Sequence, residues 1–293
     1  MRKTRINFFT LRDLLTVTSH SKALVVAFTI FSMVTPLTVH AQFLAAANRT
    51  SERLAPRLSD NTINLSGPPG EIGNWEGNAG AVLFTNLDPD AVDNANLYLP
   101  SNLSIDEIPW QPWARTEYDA RQASLTKDDP HTRCKPSGGP RMFHTPYGFE
   151  IVQLPDTNEI MFLQVGSPHS WRRIFMDGRD HPAGLEPSWF GHSVGHWEGD
   201  SLVVDSVGFN DKFWMSREGV PHTTQLHLTE RFTRTNFYTM VYEVTVDDPG
   251  AYTAPWSGGW YINWVAGNEP FDYLCQENNK DATHMIGPDG QAL

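Results

Sequence analysis

The chain has 293 residues, and its 34 acidic side chains outnumber its 22 basic ones, so the formal net charge is −12. Nucleic acid and anionic membrane surfaces are therefore poor partners, because binding them requires Lys and Arg to neutralise negative charge. The length allows one large domain, or one domain with an additional arm.

The first 41 residues have the three parts of a secretory signal peptide. An apolar centre at 23–33 precedes a small-residue exit at Ala41, after which we expect cleavage. The basic start consists of Arg2, Lys3, Arg5, Arg12 and Lys22. An uncleaved membrane anchor is the alternative, but the apolar centre is shorter than the ~20 residues that span a bilayer. We expect a periplasmic or secreted protein with no membrane span after cleavage.

Residues 42–109 are rich in Ser, Asn, Pro, Gly and Asp and show no sustained hydrophobic period. This composition predicts an irregular arm, with a short helix at 90–98 as its one weakly supported element. Pro112 is well placed to begin a helix over 114–124. A Pro- and Gly-rich loop over 130–147 follows it.

Strand signals then repeat, with short turns between most of them. The predicted strands are 149–154, 159–165, 171–176, 192–197, 201–206, 225–233, 238–247, 258–265 and 271–277. Short turns make sequential strands pair, so we predict an all-β domain over 110–293, an antiparallel up-and-down barrel.

The mature chain contains two cysteines, Cys134 and Cys275. In an oxidising compartment an even pair favours a disulfide. Two separate buried thiols are the alternative, because the distance between them is not fixed by the sequence.

Five segments resemble an uncharacterised family of exported bacterial proteins. They are GHSVGHWEGDSLVVD at 191–205, RRIFMDGR at 172–179, ERF at 230–232, EVTVDDP at 243–249 and CQENN at 275–279. The likeness runs from about Trp110 to Asn279, so it does not cover the arm. It implies a secreted or periplasmic protein with a lipocalin-like β-barrel, and it implies nothing about activity.

Two-residue alternation assigns the faces of the strand at 225–233. Glu230 shares one face with Leu226, Leu228 and Phe232, whereas His227 lies on the other. If the apolar face lines the interior, Glu230 is a carboxylate among apolar groups and a candidate acid or base. The alternative is an ion pair with an interior arginine, for which Arg172 and Arg173 are the candidates.

Histidines are the second group of candidates. His192 and His196 share one strand face about 13 Å apart, so they cannot bind one ion within a straight strand. With His222 and His227 they could collect at one end of the barrel. A zinc site would need three ligands from different strands and is a minor alternative to hydrogen-bonded imidazoles.

Polar and aromatic side chains near the strand ends complete the candidate site. The predicted ligand-binding residues are Arg172, Arg173, Trp197, Glu277 and Asn278. The sequence contains no phosphate-binding Gly loop, no HExxH and no CxxC motif. We therefore expect no organic cofactor.

The predicted function is an action on a small, largely apolar molecule inside the barrel. We favour cofactor-free acid/base chemistry, as in a lyase, isomerase or hydrolase, with protons carried by Glu230 and one of His192, His196 or His227. A non-catalytic carrier and a structural component of the cell envelope are the alternatives. A closed aromatic cavity without a convergent His/Glu pair would favour the carrier, and a filled barrel with no cavity would favour the structural role.

Overall fold

The computed structural model describes residues 51–77, 83–84, 99–124, 127–144 and 147–275. The described residues belong to one compact unit, 47–293. The predicted signal peptide, the predicted helix at 90–98, Glu277 and Asn278 lie outside the described residues.

Nine strands form one sheet. They are β1 (Gly73–Gly77), β2 (Phe149–Leu154), β3 (Glu159–Gln164), β4 (Trp171–Phe175), β5 (His192–Glu198), β6 (Ser201–Val207), β7 (His227–Arg234), β8 (Thr239–Asp247) and β9 (Trp256–Ala266). Each strand pairs with its neighbour in sequence, and β1 also pairs with β9, so the sheet closes in a ring. The prediction of a mostly β domain with sequential pairing is confirmed.

Helices are few and short. Helix α1 (Pro112–Ser124) confirms the predicted helix, and α2 (Gly166–His169) is a single turn. Short 3-10 helices occupy Pro130–Arg133, Gly139–His144 and Pro155–Thr157. No helix in the described part of the chain is both long and apolar enough to cross a bilayer.

Eight of the nine predicted strands, from 149–154 to 258–265, are confirmed, and their alternation matches burial. In β8 the side chains of Met240, Tyr242, Val244 and Val246 are buried, and the residues between them are more exposed. Gly199 has a positive φ of 60° in the turn between β5 and β6, a conformation that glycine adopts without strain.

Three local predictions are wrong. Residues 73–77, within the predicted irregular arm, form β1; this GNWEG segment has little alternation, and all five residues are held by pairing with β9. Strands β4 and β5 pair in parallel, because the connection at 176–191 returns the chain to the same end. Residues 271–275 form no strand, since Phe271 and Tyr273 pack on Tyr147 instead.

Aromatic side chains pack the inside of the ring. All six residues of the 3-10 helix Gly139–His144 are buried, and the ring of Phe143 lies at its centre. The centroids of Phe149, Phe162, Phe232 and Tyr242 lie 5.0–5.2 Å from that of Phe143. Edge-on and tilted contacts at this spacing are favourable for aromatic rings.

The predicted disulfide between Cys134 and Cys275 is present, with 5.6 Å between the Cα atoms. It ties the loop before β2 to the segment after β9, which are 141 residues apart in sequence. Such a bond is typical of proteins that fold in an oxidising compartment outside the cytoplasm.

Candidate functional site

Glu230 lies inside the ring, as its strand face predicted. Its side chain is fully buried, and so is that of Arg172 on β4, which lies beside it. The guanidinium Nη1 donates to Oε1 of Glu230 over 3.1 Å, and Nη2 donates to Oε2. The hydroxyl of Tyr242 donates to Oε1 over 2.9 Å.

Two further N–H groups of Arg172 are also used. Nε donates to Oγ of Ser193 over 3.0 Å, and Nη2 donates to Oγ of Ser206 over 2.7 Å. Burial is the largest single effect and lowers the pKa of Arg172, but the charge of Glu230, its hydrogen bond and the charge of Tyr242 together raise the pKa overall. Burial, followed by the charge of Glu230, holds the pKa of Tyr242 well above its usual value. The geometry is that of a satisfied buried ion pair.

A second polar cluster lies on the outer face of the same strands. Val204 and Ser206 of β6 are buried, so alternation places Asp205 between them on the outside. His227 of β7 and His192 of β5 lie on the neighbouring outer faces, and His181 comes from the connection between β4 and β5. We call Asp205, His181, His192 and His227 the outer His/Asp cluster.

Hydrogen bonds join the four side chains in a chain. Asp205 contacts Nε2 of His181 through Oδ1 at 2.8 Å and Nε2 of His227 through Oδ2 at 2.6 Å. Nδ1 of His181 lies 2.8 Å from Nδ1 of His192. The side chains of His181, Asp205 and His227 are 21%, 35% and 41% exposed, so the cluster is open to solvent.

The charge state of Asp205 indicates which imidazole nitrogens of the cluster donate and which accept. Burial is the largest single effect and raises its pKa, but the hydrogen bonds and charges of His227 and His181 together lower the pKa overall. An ionised carboxylate only accepts, so both histidines donate through Nε2. When His181 is neutral it accepts at Nδ1 and His192 is the donor, which leaves a lone pair on Nε2 of His192.

The surroundings keep His192 in place and neutral. Its ring stacks on that of Phe175 with 5.2 Å between centroids, and the guanidinium of Arg179 lies 3.9 Å from the Phe175 centroid. Asp177 accepts from Nε of Arg179 over 2.9 Å. Partial burial, followed by His181 and then Arg179, lowers the pKa of His192.

The connection that carries His181 is pinned to the chain after β6. The backbone N–H of Ser188 donates to the carbonyl of Gly208 over 3.0 Å, and that of Asn210 donates back to the carbonyl of Ser188 over 2.8 Å. These two bonds form an isolated parallel bridge. The loop thus places His181 relative to Asp205.

Other predicted residues lie apart from both clusters. His196 bonds to Glu198 at 3.1 Å and is 59% exposed. Arg173 lies outside, 3.6 Å from Glu159, and Trp197 packs partly buried against the core. His222 is buried, with Nε2 lying 2.9 Å from the carbonyl oxygen of Phe213.

The structure therefore brings His192 and His227 together and separates them from Glu230 and His196. Sequence reasoning missed His181 and Asp205. Asp205 could have been found, because it is the one charged residue in the otherwise apolar and small-residue strand β6. His181 lies in an irregular connection, where no period indicates which way a side chain points.

Within the described ranges, no group of three or more His, Cys, Asp or Glu side chains is arranged to hold a metal ion. Comparisons with protein-family models, with curated proteins and with solved structures find no match for this chain. The site is therefore interpreted from its own geometry.

Proposed function

We propose that this protein is an exported acid/base enzyme in which Nε2 of His192 accepts a proton from a small substrate. The observation that carries the proposal is the chain of hydrogen bonds from Asp205 through His181 to His192. With His181 neutral, this chain leaves an unbonded lone pair on Nε2 of His192, on the outer face of the sheet. The closed sheet would be a lipocalin-like barrel that serves as a rigid support.

The proton has a defined path. When Nε2 of His192 takes a proton, the ring becomes an imidazolium, and its Nδ1 proton can pass to Nδ1 of His181. The positive charge then lies beside Asp205, whose carboxylate stabilises it. Orientation of a base by a hydrogen-bonded carboxylate is the arrangement found in catalytic triads.

The acid/base role thus belongs to His192 on the outer face of the sheet and not to Glu230 in its interior. The Glu230 carboxylate accepts from Arg172 and Tyr242, and Arg172 also donates to Ser193 and Ser206, while aromatic rings pack the space beside them. Glu230 therefore supports the sheet from inside in this proposal. The lowered pKa of His192 keeps it neutral at physiological pH, as a base must be.

A structural role in the cell envelope is the second candidate function. It is favoured by one observation, the packing of the ring interior by Phe143 and the rings around it. A structural component has no need of a base with an unbonded lone pair, so a test of proton transfer separates the two functions.

Proton abstraction can be followed without knowing the product. The protein is incubated in D2O with a panel of small ketones, aldehydes and carboxylic esters, and loss of the α-proton signals is followed by NMR. We expect exchange above the buffer rate for at least one class, and a loss of about 10²–10⁴-fold in His192→Gln. His196→Gln is the matched control, because it changes an exposed histidine on the same strand face. Equal exchange by the two variants would contradict the proposal and favour the structural role.

A further inference from the structure

Three segments of the chain bring buried polar side chains together. Helix α1 carries Tyr118, and the 3-10 helix before β2 carries Arg141. Glu218 comes from a turn that is closed by a 3.0 Å hydrogen bond from the N–H of Met215 to the carbonyl of Val220. The side chains of Tyr118 and Arg141 are buried, and so is Oε2 of Glu218. We call Tyr118, Arg141 and Glu218 the buried polar cluster.

Hydrogen bonds hold this turn against α1. Nη1 of Arg121 donates to the carbonyl of Gly219 over 3.1 Å, and the side-chain amide of Gln122 donates to the carbonyl of Glu218. Tyr118 lies three and four residues before these two donors, so its side chain is on the same face of the helix and faces the turn. Burial, followed by the charge of Glu218, raises the pKa of Tyr118 to about 12. The hydroxyl and the carboxylate are therefore neighbours.

Arg141 is packed against the same turn. The backbone of Gly138 lies so close to the ring of Phe213, just before the turn, that a Cβ there would be 2.7 Å from the ring. Burial lowers the pKa of Arg141, and the charges of Asp129 and then Glu218 oppose that effect. Burial raises the pKa of Glu218, and the charge of Arg141 is among the effects that oppose it. The guanidinium and the carboxylate therefore act on each other.

Several polar atoms of the cluster have no partner in the described part of the chain. Nη2 of Arg141 donates to Oδ2 of Asp129 over 2.6 Å, but Nε and Nη1 of Arg141 have no hydrogen-bond partner. The hydroxyl of Tyr118 and Oε2 of Glu218 have none either. A buried polar group without a partner is costly, most of all when it is charged, so several of them in one place indicate a bound polar molecule.

The type of each group indicates the class of molecule. Arg141 and Tyr118 offer N–H and O–H donors, which suit a carboxylate. Glu218 offers a carboxylate oxygen, which accepts a hydrogen bond and suits an ammonium group. The cluster is therefore complementary to a molecule that carries both groups.

The charges around the cluster favour a molecule without net charge. Arg141 and Arg217 act on this region together with the carboxylates of Asp129 and Glu218, so the formal charges cancel. Two histidines nearby are uncharged at neutral pH because burial, above all, lowers their pKa values. They are His131, with a pKa of about 4, and His144, with a pKa of about 3. An ion would add an uncompensated charge in the protein interior, whereas a zwitterion would not.

We propose that the buried polar cluster binds a free α-amino acid, with its carboxylate at Arg141 and Tyr118 and its ammonium group at Glu218. A cleft of about 330 Å³ beside α1, whose lining includes Arg121 and Trp214, provides access from solvent. Arg121 also bonds the turn that carries Glu218, so the cleft adjoins the cluster. The site shares no residue with the outer His/Asp cluster and does not depend on the acid/base function.

Calorimetry with free amino acids tests the site without any measurement of activity. Dialysed protein is titrated at neutral pH with each of the common amino acids, and with acetate and methylammonium, which carry only one of the two groups. We expect at least one amino acid to bind with one molecule per chain. Acetate and methylammonium should bind at least about tenfold more weakly, because each leaves one charged partner unpaired.

Two conservative variants separate the two ends of the ligand. Glu218→Gln keeps the shape of the side chain but removes its charge, so it should weaken amino-acid binding at least about tenfold and leave acetate binding unchanged. Arg141→Lys keeps a cation beside Asp129 but lacks the unpartnered guanidinium nitrogens, so it should weaken amino acids and acetate by similar factors. Tyr118→Phe removes only a hydroxyl and tests the carboxylate end if Arg141→Lys does not fold.

Glu243→Gln is the matched control, because it changes an exposed carboxylate on β8 and should bind as the unaltered protein does. Near-ultraviolet circular dichroism establishes that each variant is folded. Absence of one-to-one amino-acid binding by the unaltered protein would overturn the proposal and mean that water satisfies the buried groups. Acetate binding as tight as that of the amino acids would overturn it in favour of an anion site. Equal affinities of Glu218→Gln and Glu243→Gln would place the binding elsewhere.

Discussion

Ser206 donates a 2.9 Å hydrogen bond to Ser193 inside the ring, and these two hydroxyls lie directly opposite each other on β6 and β5. Arg172 donates a hydrogen bond to each of the two hydroxyls. Their chain neighbours, Asp205 and His192, point outward into the outer His/Asp cluster. Because adjacent residues of a strand point to opposite faces, the buried network fixes the register that sets the spacing of the outer site.

The buried ion pair of Glu230 and Arg172 should contribute to the stability of the fold rather than to catalysis. Glu230→Leu leaves Arg172 charged and buried without its partner, and we expect a loss of about 3–5 kcal/mol in the free energy of unfolding. Adding Arg172→Met should restore much of that loss, because an apolar pair of similar volume needs no desolvation of charge. Urea denaturation of the two single variants and the double variant measures this coupling. Additive losses would show that the pair is not a unit.

Acidification should destabilise the fold through His144. Burial, followed by the charges of Arg141 and Arg217, lowers the pKa of His144 to about 3. Between pH ~6.5 and ~3 the unfolded chain therefore binds a proton that the folded chain does not, and stability falls as the pH falls. The contribution is about 1.4 kcal/mol per pH unit, or about 2 kcal/mol by pH ~5.

His144→Phe removes this proton while keeping a ring against Trp260. Thermal unfolding is measured from pH ~7 to ~4.5. The free energy of unfolding of His144→Phe should depend less steeply on pH than that of the unaltered protein, by the equivalent of about one bound proton. His196→Gln, at an exposed position, should leave the slope unchanged. Equal slopes for His144→Phe and the unaltered protein would refute the assignment.

Alternation predicted most of the fold, because the strands bury one face. Eight strands and the interior position of Glu230 follow directly from the two-residue period. It could not predict β1, whose GNWEG sequence has no alternation and which is held by pairing with β9. It also could not predict the parallel step from β4 to β5, which depends on the path of an irregular connection.

Only two of the four residues of the outer His/Asp cluster, His192 and His227, could be predicted from the sequence. His192 and His227 lie on strands, so their faces could be assigned from the sequence. Their mutual approach depends on Asp205, which bridges His227 to His181, and on the bridge at Ser188 that holds the connection. These are contacts between residues distant in sequence, on which local patterns carry no information.

The disulfide should contribute to stability by constraining the unfolded chain. The Cys134–Cys275 bond closes a loop of 141 residues, and removal of a native disulfide costs about 2–5 kcal/mol. Cys134→Ser/Cys275→Ser should lower the midpoint of urea unfolding with the native circular dichroism spectrum retained. Thiol titration of the denatured, unreduced protein should find no free thiol. Two free thiols in protein recovered from an oxidising compartment would disprove the pairing.

Arg179 should tune the basicity of His192. Its positive charge is one cause of the lowered pKa of His192, after burial and His181. Arg179→Gln removes that charge, so the pKa of His192 should rise towards 6.5, its ordinary value. Proton NMR titration of the imidazole Cε1–H signals measures the shift directly and needs no substrate. Arg173→Gln is the control, because Arg173 also lies near the Phe175 ring, 5.7 Å from its centroid, but does not act on the pKa of His192.

The direction of the shift also predicts the pH dependence of proton transfer. A base is active only when unprotonated, so the rate of α-proton exchange should fall as the pH drops through the pKa of His192. In Arg179→Gln this fall should begin at a higher pH than in the unaltered protein, and in Arg173→Gln it should not move. An Arg179→Gln titration that shifts the NMR signal of His192 while leaving the rate profile in place would show that another group takes the proton. His227 would then be the next candidate, because it shares Asp205 and is 41% exposed.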